Sequence, residues 1–200
     1  MLKLNLLNTP TLQTKSWLYL IVITLLAVVS RLVPHLPNAT GVMALAIFIG
    51  LNQDYLTNSQ SGRQWLKLIP LGVMLACDLW LGGYELGVMI AVYGSIWLAT
   101  WIGQLNRQRQ LIDIFLAGLL GSLIFYLVTN SAVVIFGDLY AKTPSGLMAS
   151  LVAGLPFWRN SLIGDLGYLA IYQIGLGLVI YTHNIHYPAH KESHESSYLS

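Results

Sequence analysis

The sequence predicts an all-α membrane protein: six transmembrane helices in one bundle, with a short re-entrant or surface helix before the last span. Three observations carry that expectation: 56% of the 200 residues are hydrophobic, only 9% are charged, and the mean hydropathy is +0.64. A soluble domain carries about 25% charged residues, so this composition leaves too little polar surface to face water. Ten Lys and Arg against eight Asp and Glu give a net charge of +2, with no basic stripe to track a phosphate backbone. Nucleic acid is therefore excluded as a partner, and the expected surroundings are a lipid bilayer. A single cysteine, Cys77, excludes a disulfide framework and a CxxC zinc site.

A helix needs about 20 apolar residues to cross about 30 Å of hydrocarbon. Stretches poor in charge place spans at about 16–33, 85–105, 111–137 and 159–182. Two shorter stretches, 38–53 and 66–83, complete the six. The second carries Pro70 near its start and Asp78 inside it, and both fit a thinned or locally wet bilayer. Ser145 to Leu155 is apolar but lies between Pro144 and Pro156 and is too short to cross, hence the re-entrant or surface helix. Residues 183–200 read as a polar cytoplasmic tail, and the whole chain as one integral-membrane domain.

Positive charge orients the bundle, because Lys and Arg concentrate in cytoplasmic loops. Six spans put Lys3, Lys15, Arg63, Lys67, Arg107, Arg109 and Lys191 on one side, and Arg31, Lys142 and Arg159 on the other. Both termini are expected in the cytoplasm of a bacterial cell, the chain lying in the inner membrane. A seventh span at Ser145 divides the charges equally well and is opposed by its length alone. The apolar run after Lys15 ends in Ala27-Val-Val-Ser30, in the manner of a signal peptide, but a long polar stretch precedes it, and cleavage would remove the helix that carries Arg31. It is read as the first span.

Polar groups gather at one side of this topology. Arg31, His35 and Asn38 end the first span and open the second; Cys77 and Asp78 lie near the outer end of the third; Tyr84 and Glu85 open the fourth. Asn130 is near the outer end of the fifth, and Arg159, Asn160, Asp165 and Tyr168 open the sixth. An ionisable group at membrane depth costs at least a few kcal/mol unless paired or hydrated, so Asp78 and Asp165 should face the bundle interior or a wet cavity. Arg159 and Asp165 are expected to hold the outer mouth together. Ser161, Asp165, Tyr168, Tyr172 and Gly175 recur at steps of four and three on one helical face, which serves equally as a packing seam. Ala117 and Gly121 are read as packing alone.

Cys77 supports two readings from its neighbours alone. It is either a small buried hydrophobe or, one residue from Asp78 at the mouth of a cavity, a thiol able to ligate a soft or borderline metal. His183, His186, His190 and His194 have metal-ligand spacing, yet Pro188 interrupts them and acidic and serine residues follow, as in a solvated tail. Asn38-Ala-Thr40 matches a glycosylation acceptor but opens a span. No nucleophile elbow, Walker loop or dinucleotide fingerprint appears, and Gly82-Gly83 reads as a turn.

The segments Arg31-Leu-Val-Pro-His-Leu-Pro-Asn38, Asp78-Leu-Trp-Leu-Gly82, Thr129-Asn130, Tyr140-Ala-Lys-Thr143 and Pro156-Phe-Trp-Arg-Asn-Ser-Leu-Ile-Gly-Asp165 resemble a family of small, largely uncharacterised bacterial membrane proteins. Its characterised branch is the BtuM family of cobalamin transporters, which look like solitary substrate-binding S-components of energy-coupling-factor transporters. The resemblance runs from Arg31 to Tyr168. It implies an S-component-like bundle, an outward cavity and uptake of cobalamin as substrate, with no cofactor of its own. Many members of the wider family have serine before the aspartate of the third span; Cys77 at that place resembles the subset in which a cysteine sulfur ligates the cobalt of the corrinoid. A slow exchange of cobalt-bound cyanide through Cys77 would follow, without making the protein an enzyme in the usual sense. An energy-coupling-factor module is the partner implied by S-components in general. The chain departs from that pattern in the first span, where Ala27 is followed four places on by Arg31 and the small-xxx-small docking seam is weak. The rival expectations are an S-component-like transporter of another vitamin or small metabolite, and a membrane-embedded enzyme or assembly subunit using Asp78, Asp165 and Arg159.

Overall fold

In a computed structural model the described residues are 10–34, 36–105 and 110–186. Their regular structure is all helical, with no strand among them: α1 (Pro10–Leu32), α2 (Val42–Leu56), α3 (Gln60–Leu66), α4 (Ile69–Leu81), α5 (Leu86–Leu105), α6 (Leu111–Phe136) and α7 (Pro144–His186). Five helical stretches are long and apolar enough to cross a membrane, with α3 and α4 together forming one of them (Gln60–Leu81). Their outward faces are apolar: Leu18, Val22, Leu25 and Val29 on α1, Leu79 and Trp80 on α4, and Ile171, Ile174 and Leu178 on α7 are all exposed. Apolar surface this extensive suits hydrocarbon rather than water, since lipid asks only that backbone polar groups be satisfied within the helices.

The α2 helix is the centre of the bundle. All its residues except Asp54 and Tyr55 are buried, although its 15 residues reach only about 22 Å. It begins at Val42 rather than at 38 for a local reason. Asn38 takes a left-handed conformation (φ 66°), which asparagine tolerates better than most residues and which a helix cannot contain. The Gly41 amide then donates to the Ser30 hydroxyl (2.9 Å), tying the start of α2 to the last turn of α1. Against α5 the two backbones nearly touch. A Cβ on Gly50 would collide with the Thr100 carbonyl, and one on Gly103 with that of Ile47, so Gly50 and Gly103 set the crossing distance. Gly121 of α6 leaves room for the Ile47 side chain, and Asn52 donates to Gln173 of α7 (3.3 Å).

The apolar piece 145–155 is not a separate re-entrant or surface helix. It is the first part of α7, a continuous 43-residue helix about 64 Å long. Proline fits the helix start at Pro144, and within the helix Pro156 removes a single backbone donor while α6 holds both sides of it. The Tyr126 hydroxyl donates to the Leu151 carbonyl (2.5 Å), the Ser150 hydroxyl to the Asn130 carbonyl (3.2 Å), and Gly154 leaves space for the Asn130 amide. At its other end α7 continues through His186, with His183 buried and the His186 ring 2.8 Å from the Thr182 carbonyl. His190 and His194 lie outside the described residues.

Candidate functional site

The last turns of α1 and α4 meet at one end of the bundle. Arg31, the only basic residue in the last turn of α1, places Nη2 2.6 Å from Oδ1 of Asp78. Tyr93 of α5 donates its hydroxyl to Oδ2 (3.0 Å), so both carboxylate oxygens are occupied. Asp78 is 3% exposed and Arg31 20%, which makes the pair a largely enclosed one. Tyr84, in the connection after α4, lies beside the same carboxylate; burial and then the Asp78 charge push its hydroxyl up to about 12, so it stays a neutral donor at physiological pH. The connection itself turns at Gly82, whose φ of 91° ends α4 in the conformation glycine adopts most readily.

Below this closure is a cavity of about 90 Å³ at the N-terminus of α2. Arg31, Asn38, Thr40, Ser161 and Asp165 supply its polar wall, and Met43, Met74, Val92, Ile96 and Phe125 its apolar one. Asp165 is 1% exposed, accepts a hydrogen bond at Oδ2 from Ser161 one turn earlier (3.1 Å), and has no basic partner among the described residues. A second cavity of about 170 Å³ lies alongside and shares Asn38, Phe125 and Ser161 with the first. Its remaining wall is aromatic and amide: Tyr126, Phe157, Trp158 and Asn130, with Thr129, Val133 and Gly154. Tyr126 and Trp158 stack with centroids 5.4 Å apart.

Residues 11–188 match a family described as a family of unknown function (DUF6580). The chain belongs to that family. No curated protein and no solved structure matches it.

In this DUF6580 member the expected polar residues separate into three sets. Arg31, Asn38, Asp78 and Asp165 surround or close the first cavity, and Asn38 and Asn130 line the second. Asn130 is also committed to packing, its amide donating to the Tyr126 carbonyl (2.8 Å). Cys77 and Tyr168 are adjacent but do not line either cavity. Cys77, 1% exposed, belongs to the apolar core, with Met74 one turn away on the cavity wall. Tyr168 packs over Gly41 and against Tyr172, at a centroid distance of 6.1 Å. Arg159 and Asn160 are not drawn in: Arg159 is exposed and makes no ion pair with Asp165. Six residues of helix turn the two side chains about 120° apart, so Asp165 faces the core when Arg159 faces out. His35 lies outside the described residues.

Several lining residues carry no expectation from sequence. Tyr93 sits in an apolar span, and its partner Asp78 is 15 residues away across a turn; Phe125, Met74 and Trp158 have the same composition as lipid-facing neighbours. Ser161 is the exception, since its spacing of four from Asp165 is a helical hydrogen-bonding distance. Among the described residues no group of three His, Cys, Asp or Glu side chains could hold a metal ion.

Proposed function

We propose that the protein captures a small molecule at the outer face of a bacterial inner membrane and takes it up, with six spans and both termini in the cytoplasm. The observation that carries this reading is the pair of neighbouring cavities that share Asn38, Phe125 and Ser161, with polar and ionisable groups on one wall, inside an otherwise apolar bundle. Membrane helices hold buried carboxylates where a ligand, a counter-charge or water meets them, and Asp165 meets the cavity. Counting α2 as the shortest of six spans leaves the end bearing Arg31 and Lys142 poorer in positive charge, as an outer face is. Ala27 faces the interior rather than the lipid, which favours solitary action over docking on an energy-coupling-factor module.

The substrate to test first is a corrinoid such as cobalamin, on the BtuM-like placement of Cys77 before Asp78. A corrinoid is far larger than either cavity, so this reading requires α4 to move away from α1 and α5, parting Asp78 from Arg31 and Tyr93 and uncovering the thiol. Ligation would release the thiol proton, and a cyanide on the opposite face of cobalt would leave as the anion once the sulfur weakens its bond. Purified protein with added cobalamin should show a shifted visible spectrum, lost in Cys77→Ser, where a hard hydroxyl replaces the soft sulfur. An unchanged spectrum with folded wild-type protein removes the corrinoid. A smaller vitamin or metabolite is then the reading, and the size of the two cavities already favours it.

A further inference from the structure

The ionisable groups around the first cavity are not all paired. Arg31 is spent on Asp78, whose second oxygen Tyr93 occupies, whereas Asp165 has only the Ser161 hydroxyl at one oxygen and no hydrogen-bond or ion-pair partner at the other among the described residues. The wall therefore carries an acidic group with no counter-charge among the described residues. A carboxylate in such a place is completed by a cation or by a donor held against it. The neighbouring cavity adds a shape: Phe125, Tyr126 and Trp158 present ring surface, and the rim that the two cavities share, Asn38 and Ser161, is polar and uncharged. Aromatic walls favour flat rings and attract positive charge through their faces.

We propose that the two neighbouring cavities together take a small monocation bearing a flat aromatic ring, its charge set against Asp165 and its ring against Phe125, Tyr126 and Trp158. This rests on the capture reading and narrows the ligand's class. An anion finds no unpaired cation on this wall, because Arg31 is bound to Asp78. A ringless cation satisfies the charge but leaves the larger cavity unfilled.

The test uses the full chain in detergent and four probes that vary one property each: benzamidine (ring and charge), acetamidine (charge without ring), benzyl alcohol (ring without charge) and benzoate (ring with the opposite charge). Melting temperature and tryptophan emission report binding. Benzamidine should bind best and benzoate not at all. Asp165→Asn should weaken benzamidine about ten- to hundredfold, the worth of a charge-assisted hydrogen bond, and leave benzyl alcohol unaffected. Trp158→Leu should erase the advantage of benzamidine over acetamidine. Equal binding of benzoate and benzamidine, or full benzamidine affinity in Asp165→Asn, overturns the proposal; if that variant does not fold, the wild-type charge series alone decides. Uptake of a corrinoid by a protein indifferent to benzamidine overturns this ligand class and leaves capture standing. Benzamidine binding by a protein that takes up no small molecule does the reverse.

Discussion

The Arg31 guanidinium, at the end of α1, lies 2.6 Å from the Asp78 carboxylate, near the end of α4, and the pair closes the bundle above its charged cavity. Removing either partner leaves the other enclosed without its counter-charge, which costs about 3–5 kcal/mol for buried pairs. Arg31→Ala and Asp78→Ala should each lower the melting temperature strongly, while the double variant should lose much less than the two combined. Additive losses would show that the two side chains do not depend on each other.

Opening the same closure should expose Cys77. The wild-type thiol should react slowly with a membrane-permeable maleimide, because it is buried in the apolar core beside Asp78. Arg31→Ala should speed labelling at least about tenfold by populating the open arrangement. A wild-type rate equal to that of an unfolded control would show that the thiol is not enclosed.

Gly50 and Gly103 should not tolerate even a methyl group, since α2 and α5 have no space between their backbones there. Alanine at either should cost about 1–3 kcal/mol. Gly94 of α5 has nothing within reach of an added Cβ, and alanine there should be neutral or stabilising by up to about 1 kcal/mol. Thermal denaturation of the three variants checks the ordering.

Arg159 is exposed and unpaired among the described residues, so Arg159→Ala should change stability by no more than about 0.5 kcal/mol. If Arg159 contacts substrate, uptake should fall in this variant and Arg159→Lys should not restore it, because lysine lacks the planar fork of donors. Equal uptake in all three proteins would make Arg159 an interfacial anchor only.

A reporter active only in the cytoplasm, fused after Ser200, should give signal if the spans number six. Signal from a periplasmic reporter alone would favour an odd count, with the first part of α7 crossing by itself.

The helical segments were legible because charge is scarce and interrupts the chain at few places, and Arg31, Asp78 and Asp165 stood out because ionisable groups in apolar surroundings are costly. Three features were hidden for physical reasons. A proline normally ends a helix, so Pro156 concealed the continuity of α7, which depends on contacts from Tyr126 and Asn130 in another helix. In lipid an interior Phe125 and an exterior Phe115 are equally apolar, so hydrophobicity does not separate a cavity wall from the outer surface. The closeness of α2 and α5 was likewise invisible, because Gly50 and Gly103 differ from Gly94 only in what lies opposite.

The enclosure of α2 bears on how the protein is made. The helix is short for a bilayer and bears Asn52, Gln53 and Asp54 near its end, and although α1 precedes it, α5 and α7, which cover much of the rest, leave the ribosome after it. The Asn52 amide can donate to the Phe48 carbonyl of its own helix at once (2.9 Å), but its partner in another helix, Gln173, comes some 120 residues later in synthesis. Insertion and assembly are therefore separate events for this segment: α2 must be sheltered by the insertion machinery, or rest at the membrane surface, until α7 arrives. A nascent chain stalled before α7 would present an unfinished bundle to the cell's membrane proteases.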